Sequence, residues 1–491
     1  MDYLLSIAPA LPELTLALSV LTLLIVGAVM KPETAGVVIP VFTRYILLAA
    51  LIVLMFVATS SYTGTAFMRG NGVPMFELNA FGVFIKASLL VFAAISLVGA
   101  TPYLARHKLL SFEYSILHIL AILGMMIMLS ARDMIVLYVG MEMMSFPLYI
   151  LAAYARDKQK SSEAGLKYFV LGSLASCLMV YGMSLFYGLA GDTSYTALAG
   201  VVDQFSGLEK PSLMLSLALV FTLSGFIFKI SAVPFHMWTP DVYEGAPSTV
   251  TAFMAVLPKI AAIALLMSLL NGPLVGAFEQ WQVMFMGLAV LTMVVGSLAA
   301  TVQNNLKRML AYSSIANVGF MLVGLATGIT FGMAAVLAYL IIYAVMTFGI
   351  FAIINGLHKR GGKNVETFDD LSGLGFTHPK LAICLMVLVF SLAGVPPLAG
   401  FFAKFFVFTA AVQAGLIPLA VIGVLSSVIA AYYCLRVVKT MYFDEPKAEI
   451  IAPTFGVTML VYILTGLVLF YFVNVDSLLN LANKAAIALV L

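Results

Sequence analysis

Four charged side chains lie where charge is costly. Glu142 sits near the centre of an apolar run reading Tyr138-Val-Gly-Met-Glu142-Met-Met-Ser-Phe-Pro147, Lys259 near the middle of another, and Lys229 and Lys404 well inside two long ones. A charge at mid-membrane costs at least about 2.5–3.5 kcal/mol on insertion scales, so it needs a reason and usually a partner. Burial favours the neutral form of a lysine, and a nearby carboxylate favours the charged form. A lysine facing a mobile glutamate can therefore alternate between holding and releasing a proton. Glu142 is the one carboxylate near mid-depth, which pairs it with Lys229; a static ion pair locking two helices is the competing account. That account leaves Lys259 and Lys404 unexplained, because neither has a carboxylate at its depth. Both would need water and polar neighbours, the surroundings of a proton relay.

Other polar positions carry less. His236 follows a helix break, and an imidazole can pass protons between its two nitrogens near neutral pH, although a lone histidine near a helix end also serves structure. Lys307 with Tyr312, and Glu163 with Lys167, fall near helix ends. There, anchoring or an i,i+4 surface pair competes with a role in proton uptake. His118 has no companion histidine at ligand spacing and reads as packing. The three cysteines, Cys177, Cys384 and Cys434, lie far apart in apolar segments and offer no metal cluster or disulfide framework. No Gly-x-Gly-x-x-Gly follows a strand and no Walker loop is present; Gly324 and Gly328 read as helix packing. The chain is therefore expected to bind no nucleotide, metal or iron–sulfur cluster. The 28 methionines read as bilayer-compatible filler.

The elements that must position these residues are spanning helices. The 491 residues are 63% hydrophobic and only 10% charged, with net charge +3. Soluble chains carry about 25% charged residues, so a soluble protein is excluded. No basic tail or stripe suggests nucleic acid. A span needs about 20 apolar residues, and breaks at Gly, Pro or charge divide the chain into about fourteen. They are placed near 11–30, 41–60, 79–100, 110–129, 133–154, 164–188, 213–238, 248–270, 283–302, 308–328, 332–356, 381–413, 417–441 and 455–475. Only Asp2 precedes the first, with no basic n-region, so it reads as a permanent span and not a signal peptide.

Basic residues orient these spans. With the N-terminus outside, seventeen fall on inner loops and helix ends: Lys31, Arg44, Arg106, Lys108, Arg156, Lys158, Lys160, Lys167, Lys307, Arg308, Lys359, Arg360, Lys363, Lys380, Arg436, Lys439 and Lys447. Arg69, Arg132, Lys210 and Lys484 fall outside, so the positive-inside rule puts both termini on the outer side. Lys86, about two turns into the third span, reads as snorkelling to the outer interface.

Two spans must be broken. The segment 381–413 has 33 residues. As one straight helix it would reach roughly 50 Å, well beyond the membrane core. Ala393-Gly-Val-Pro396-Pro397 interrupts it, and Ser231-Ala-Val-Pro234 interrupts 213–240 in the same way. Broken backbone at membrane depth is tolerated only inside protein or beside water, and matching breaks in two halves point to an internal repeat. Either proline alone could merely kink a packed helix; the adjacent lysines favour a polar path. The expected fold is an all-α polytopic membrane protein of about fourteen transmembrane helices, with two inverted five-helix repeats. Its parts are 1–105 (helices 1–3), 106–275 (helices 4–8), 276–445 (helices 9–13) and 446–491 (helix 14 and tail).

The helix 5 segment quoted above resembles the antiporter-like membrane subunits of respiratory NADH–quinone oxidoreductase, complex I. So do Phe228-Lys229-Ile-Ser-Ala-Val-Pro234-Phe-His236-Met-Trp238, Asn305-Leu-Lys307-Arg308-Met-Leu-Ala-Tyr312-Ser313-Ser314 and Ser391-Leu-Ala-Gly-Val-Pro396-Pro-Leu-Ala-Gly-Phe-Phe-Ala-Lys404. These motifs cover about residues 110–440. The chain resembles the branch with about fourteen spans, no long lateral C-terminal helix, and lysine in place of glutamate at 404. The resemblance implies proton translocation in a bacterial inner membrane, with Glu142 and Lys229 as the switching pair, Lys259 as central relay and Lys404 as terminal relay. It also implies that NADH, FMN, iron–sulfur clusters and quinone are bound by partner subunits of the membrane and redox arms, and that this chain itself has no redox centre. One departure is visible: Asn317 stands where some relatives carry histidine, and an amide cannot take up a proton and stay charged. The multisubunit cation/proton antiporters share these motifs and are the alternative.

Overall fold

In lipid a backbone must satisfy its own hydrogen bonds, so the apolar runs fold as helices. The computed structural model describes residues 7–490 except 61, 62, 71, 206–211, 363 and 448; the readings on Asp2, Lys210 and Lys363 lie outside the described residues. Along the chain come α1 (Leu11–Val29), α2 (Pro32–Thr59), β1 (Gly64–Met68), β2 (Pro74–Leu78), α3 (Ala80–Arg106), α4 (Phe112–Ser130), α5 (Met134–Ala152) and α6 (Gln159–Ala190). Then follow α7 (Tyr195–Phe205), α8 (Leu213–Ile230), α9 (Trp238–Gly245), α10 (Ser248–Asn271), α11 (Phe278–Thr301), α12 (Leu306–Ala326) and α13 (Thr330–Gly356). The rest is β3 (His358–Lys359), α14 (Leu374–Thr377), α15 (Pro379–Ala393), α16 (Ala399–Gln413), α17 (Ile417–Phe443), β4 (Ile450–Ile451), α18 (Phe455–Leu469) and α19 (Val475–Val490).

Among the described residues twelve helices are long and apolar enough to span a membrane, or thirteen counting a C-terminal pair bent by 55°. The expected count was about fourteen. The difference arises because the segment 381–413 is two helices of 15 residues each, α15 and α16. Neither alone reaches the roughly 20 residues that a span needs. The expected fourteenth helix is the first half of the bent pair, and what read as a tail is α19. Both expected breaks are present. α8 ends on Ser231 in the left-handed region (φ 65°), and α15 ends on Gly394 (φ 93°), where glycine adopts that backbone without strain.

α10, α12 and α13 are buried almost throughout and form the centre of the bundle. Close crossings depend on small residues. A Cβ on Gly124 of α4 would meet the backbone of Met144 and Gly140 on α5, and one on Gly140 would come within 2.6 Å of the Met128 nitrogen.

Lys86 corrects the sequence reading. It does not snorkel: it is fully buried, 2.5 Å from Glu13 at the start of α1 and 2.5 Å from the Ser130 hydroxyl at the end of α4. The ring of Phe76, on β2, lies 4.9 Å from its ammonium. The hairpin strands β1 and β2, which alternation did not reveal, close this corner. Arg69 beyond β1 pairs with both Asp133 and Asp192, and Arg132 pairs with Glu77 at 2.6 Å. In that loop the backbone N–H of Ser194, and then the Arg69 guanidinium, hold the Asp192 carboxyl below the usual carboxylate range. A hydrogen-bonded cap of this kind covers helix ends that would otherwise leave backbone groups open.

Candidate functional site

The break after α8 sets the first lysine. Lys229, the last residue but one of α8, is buried and donates to the Tyr149 hydroxyl at 3.1 Å. Its ammonium lies 5.1 Å from the Tyr149 ring, 5.7 Å from Tyr168 and 5.7 Å from Phe228, so aromatic faces replace part of its hydration. Trp238, the first residue of α9, stacks on Tyr168 at 4.3 Å and donates from its indole to the Phe228 carbonyl at 3.1 Å. That stack ties the two halves of the broken helix together around the lysine. On α6, Gly172 makes room for the phenol: a Cβ there would collide with the Tyr149 hydroxyl.

Glu142 lies two turns before Tyr149 on α5 and accepts a hydrogen bond from Ser176 of α6. No ion pair joins Glu142 to Lys229 among the described residues; each holds a hydroxyl instead. The structure therefore brings the two to the same α5–α6–α8 corner without direct contact.

Lys259, at the middle of α10, donates to the Ser314 hydroxyl on α12, and the Tyr343 hydroxyl of α13 donates to that same oxygen at 2.9 Å. The Tyr243 ring of α9 lies 5.9 Å from its ammonium. One residue away, Ser313 accepts from the Tyr433 hydroxyl of α17 at 2.9 Å. Asn317 donates to the Ser313 carbonyl and accepts from Tyr339, both at 2.7 Å, so its amide orders this polar strip. Lys404 on α16 donates to the Ala393 carbonyl at 2.8 Å and to Ser427 of α17 at 2.9 Å. The Ala393 oxygen is free to accept because the helix stops at Gly394, whose bare backbone packs against the lysine stem. A cavity of about 840 Å³ between α16 and α17 reaches this lysine and Pro396.

The accessory residues are elsewhere. Glu163 and Lys167 form the i,i+4 pair at 2.7 Å, and Lys167 also reaches Asp241 of α9 at 2.8 Å. Arg308 holds Asp241 at 2.6 Å and Glu244 at 3.2 Å, with Lys160 on Glu244 at 3.0 Å. Lys307 is buried beneath them and donates to the Ala246 carbonyl at 2.8 Å. Tyr312 is half-buried one turn beyond Arg308, and His236 is half-buried in the segment between α8 and α9. His118 is buried against Ser96 (3.0 Å) and the Phe253 ring, as packing requires. Among the described residues no group of three or more His, Cys, Asp or Glu could hold a metal ion.

The sequence reading missed every hydroxyl partner: Tyr149, Ser176, Ser314, Tyr343 and Ser427. One signal was available. Ser313, Ser314 and Asn317 lie within one turn of an otherwise apolar helix, and buried polar groups at that spacing need partners.

Comparison with known proteins fits this geometry. Residues 131–430 match the family described as NADH:quinone oxidoreductase/Mrp antiporter, transmembrane. NADH-quinone oxidoreductase subunit N of Paramagnetospirillum magneticum is 48% identical over 486 residues, covering 98% of this chain and 97% of that protein. The subunit N of Rhodospirillum rubrum is 47% identical over 485 residues, with the same coverage of 98% and 97%. A chain of respiratory complex I from Thermus thermophilus with bound aureothin superposes with a TM-score of 0.79 at 29% identity, covering 96% of this chain and 99% of that one. A chain of the Mrp complex from a Dietzia species shares the fold, with a TM-score of 0.84 at 21% identity and coverage of 99% and 98%.

Proposed function

The chain belongs to the NADH:quinone oxidoreductase/Mrp antiporter transmembrane family, and we propose that it is a proton-translocating membrane subunit of a bacterial NADH–quinone oxidoreductase. The observation that carries this reading is the arrangement of three buried lysines. Lys229, Lys259 and Lys404 each donate to a hydroxyl or carbonyl oxygen, and none is locked to a carboxylate. Hydroxyls can accept from an ammonium and donate to a neutral amine, so the contact survives a change in protonation. In this reading Glu142 and Lys229 form the switching pair, with Tyr149 between them. Lys259 is the central relay and Lys404 the terminal one.

The same reading assigns residues 106–275 and 276–445 to two inverted five-helix units, each with its broken helix beside a lysine. Both termini lie on the periplasmic side. NADH, FMN, iron–sulfur clusters and quinone belong to partner subunits, and the membrane-arm subunits flank this chain in the bilayer.

Purification of the tagged protein from mild detergent is the first test. Flavin- and iron–sulfur-bearing subunits are expected to co-purify; their absence, with antiporter subunits in their place, selects the cation/proton antiporter. Within the assembled complex, Glu142→Gln keeps the Ser176 contact but removes the titrating group. It is expected to reduce NADH-driven proton pumping by about a hundredfold or more, the loss typical of removing a positioned proton donor or acceptor. Pumping at the parent rate would falsify the pair switch.

A further inference from the structure

A small cavity, apolar over most of its wall but touched by three polar side chains, lies apart from the lysines, at the face that carries Arg106, His358 and Lys359. It measures about 20 Å³ and is lined by Ser96 and Gly99 of α3, Thr249 of α10 and Phe348, Phe351 and Asn355 of α13, among others. Thr249 Oγ1 and Asn355 Oδ1, on two of its lining residues, are buried with no hydrogen-bond partner, and the Tyr114 hydroxyl is the polar group next to Thr249. Ser96 spends its proton on the Ala93 carbonyl at 2.8 Å or on His118 at 3.0 Å, which leaves its oxygen able to accept. All three side chains are more than nine-tenths buried, at 9% exposure for Ser96, 4% for Thr249 and 6% for Asn355.

Unpaired buried polar groups are costly, and native structures satisfy them. A cavity of roughly 10–15 Å³ or more, with two to four polar partners, holds one water. We infer that Ser96, Thr249 and Asn355 build a site for a single internal water that is the loading point, from the basic face, of the path to Lys259. This rests on the relay reading above.

Two features give the site that role. Arg106 lies over it, donating to the Asn355 carbonyl at 2.6 Å and to the Gly356 carbonyl at 3.3 Å and contacting His358 at 2.8 Å, so the site is about one turn below the protein surface. From Asn355, α13 leads inward along an i−4 row through Phe351 and Thr347 to Tyr343, whose hydroxyl shares Ser314 with Lys259. Thr347 faces that same phenol. The row spans about 18 Å of helix. The rings of Phe348 and Phe351 separate the water from Thr347, and apolar constrictions of this kind conduct only when transiently wetted. In a transfer the water takes a proton from the basic face and gives one of its own inward. Neutral Lys259 receives it through the Ser314–Tyr343 pair, and only O–H and N–H bonds change.

The test uses the whole complex in inverted membrane vesicles, with proton pumping measured per NADH oxidised. Thr249→Val, which keeps volume and removes the hydroxyl, and Asn355→Leu are each expected to lower pumping about fivefold, the scale of one lost hydrogen bond. Thr249→Ser is expected to retain it. Should Asn355→Leu not assemble, Thr249→Val carries the same expectation alone. A density map of the complex is expected to show a water within hydrogen-bond reach of Thr249 Oγ1 and Asn355 Oδ1. If Thr249→Val pumps like the parent while Lys259→Met does not, the water site is overturned and the relay stands. If Lys259→Met also pumps normally, the relay itself fails and the water site with it.

Discussion

Lys259→Met is expected to reduce NADH-driven proton pumping by the assembled complex at least about a hundredfold, the lower end of the range for loss of a proton-transfer group. NADH oxidation with an artificial electron acceptor is expected to stay at the parent rate. Methionine matches the lysine stem in length and is tolerated in apolar packing, so the central helix α10 keeps its shape. Burying a charge at this depth costs at least about 2.5–3.5 kcal/mol, so the substitution removes a penalty and should not unfold the chain. What disappears is the nitrogen that shares Ser314 with Tyr343. Lys259 is the one relay lysine on a span buried almost completely, between the polar groups of α9 on one side and α12 and α13 on the other. Neither Lys229 nor Lys404 can substitute for it, since each is tied to its own helix break. Undiminished pumping by an intact Lys259→Met complex would remove the central relay from the account.

The second large effect concerns stability. Glu13→Leu strands Lys86 in a site where it is fully buried, with only the Ser130 hydroxyl and the face of Phe76 for company. Breaking one partner of a buried ion pair costs about 3–5 kcal/mol, because the remaining charge must stay unpaired or shed its proton. The double variant Glu13→Leu with Lys86→Met removes both charges and is expected to recover most of that loss, since apolar replacements of a buried pair are often neutral or stabilising. Thermal unfolding in detergent measures both. A single variant as stable as the parent would show that the corner formed by α1, α3, α4 and the hairpin does not depend on the pair. Pumping by the double variant is expected to be unchanged, because none of these groups touches the relay lysines.

Much of the architecture was legible in the chain. Apolar runs of the right length marked the spans, and the repeated Ser231-to-Pro234 and Ala393-to-Pro396 pattern located both breaks, because proline removes a backbone donor wherever it falls. The hairpin strands were not legible. At five residues each they are too short for alternation to stand out, and their stability comes from Arg69, Arg132 and Phe76 meeting α4 and the loop beyond it. Lys86 was misread for a related reason. Its depth in the span is a property of the sequence, but whether it faces lipid or a carboxylate depends on how α3 is rotated against α1, whose Glu13 lies 73 positions away.

The sequence by itself determined that the chain is a multi-span membrane protein whose few charges include Glu142, Lys229, Lys259 and Lys404 at membrane depth. It could do so because the cost of charge in an apolar helix is local and counts residues, not contacts. Only the tertiary structure decided what those charges touch: Tyr149 and not Glu142 for Lys229, the Ser314–Tyr343 pair for Lys259, and a helix-end carbonyl with Ser427 for Lys404. Those partners lie on other helices, and the periodicity of one helix carries no information about the rotation of its neighbours.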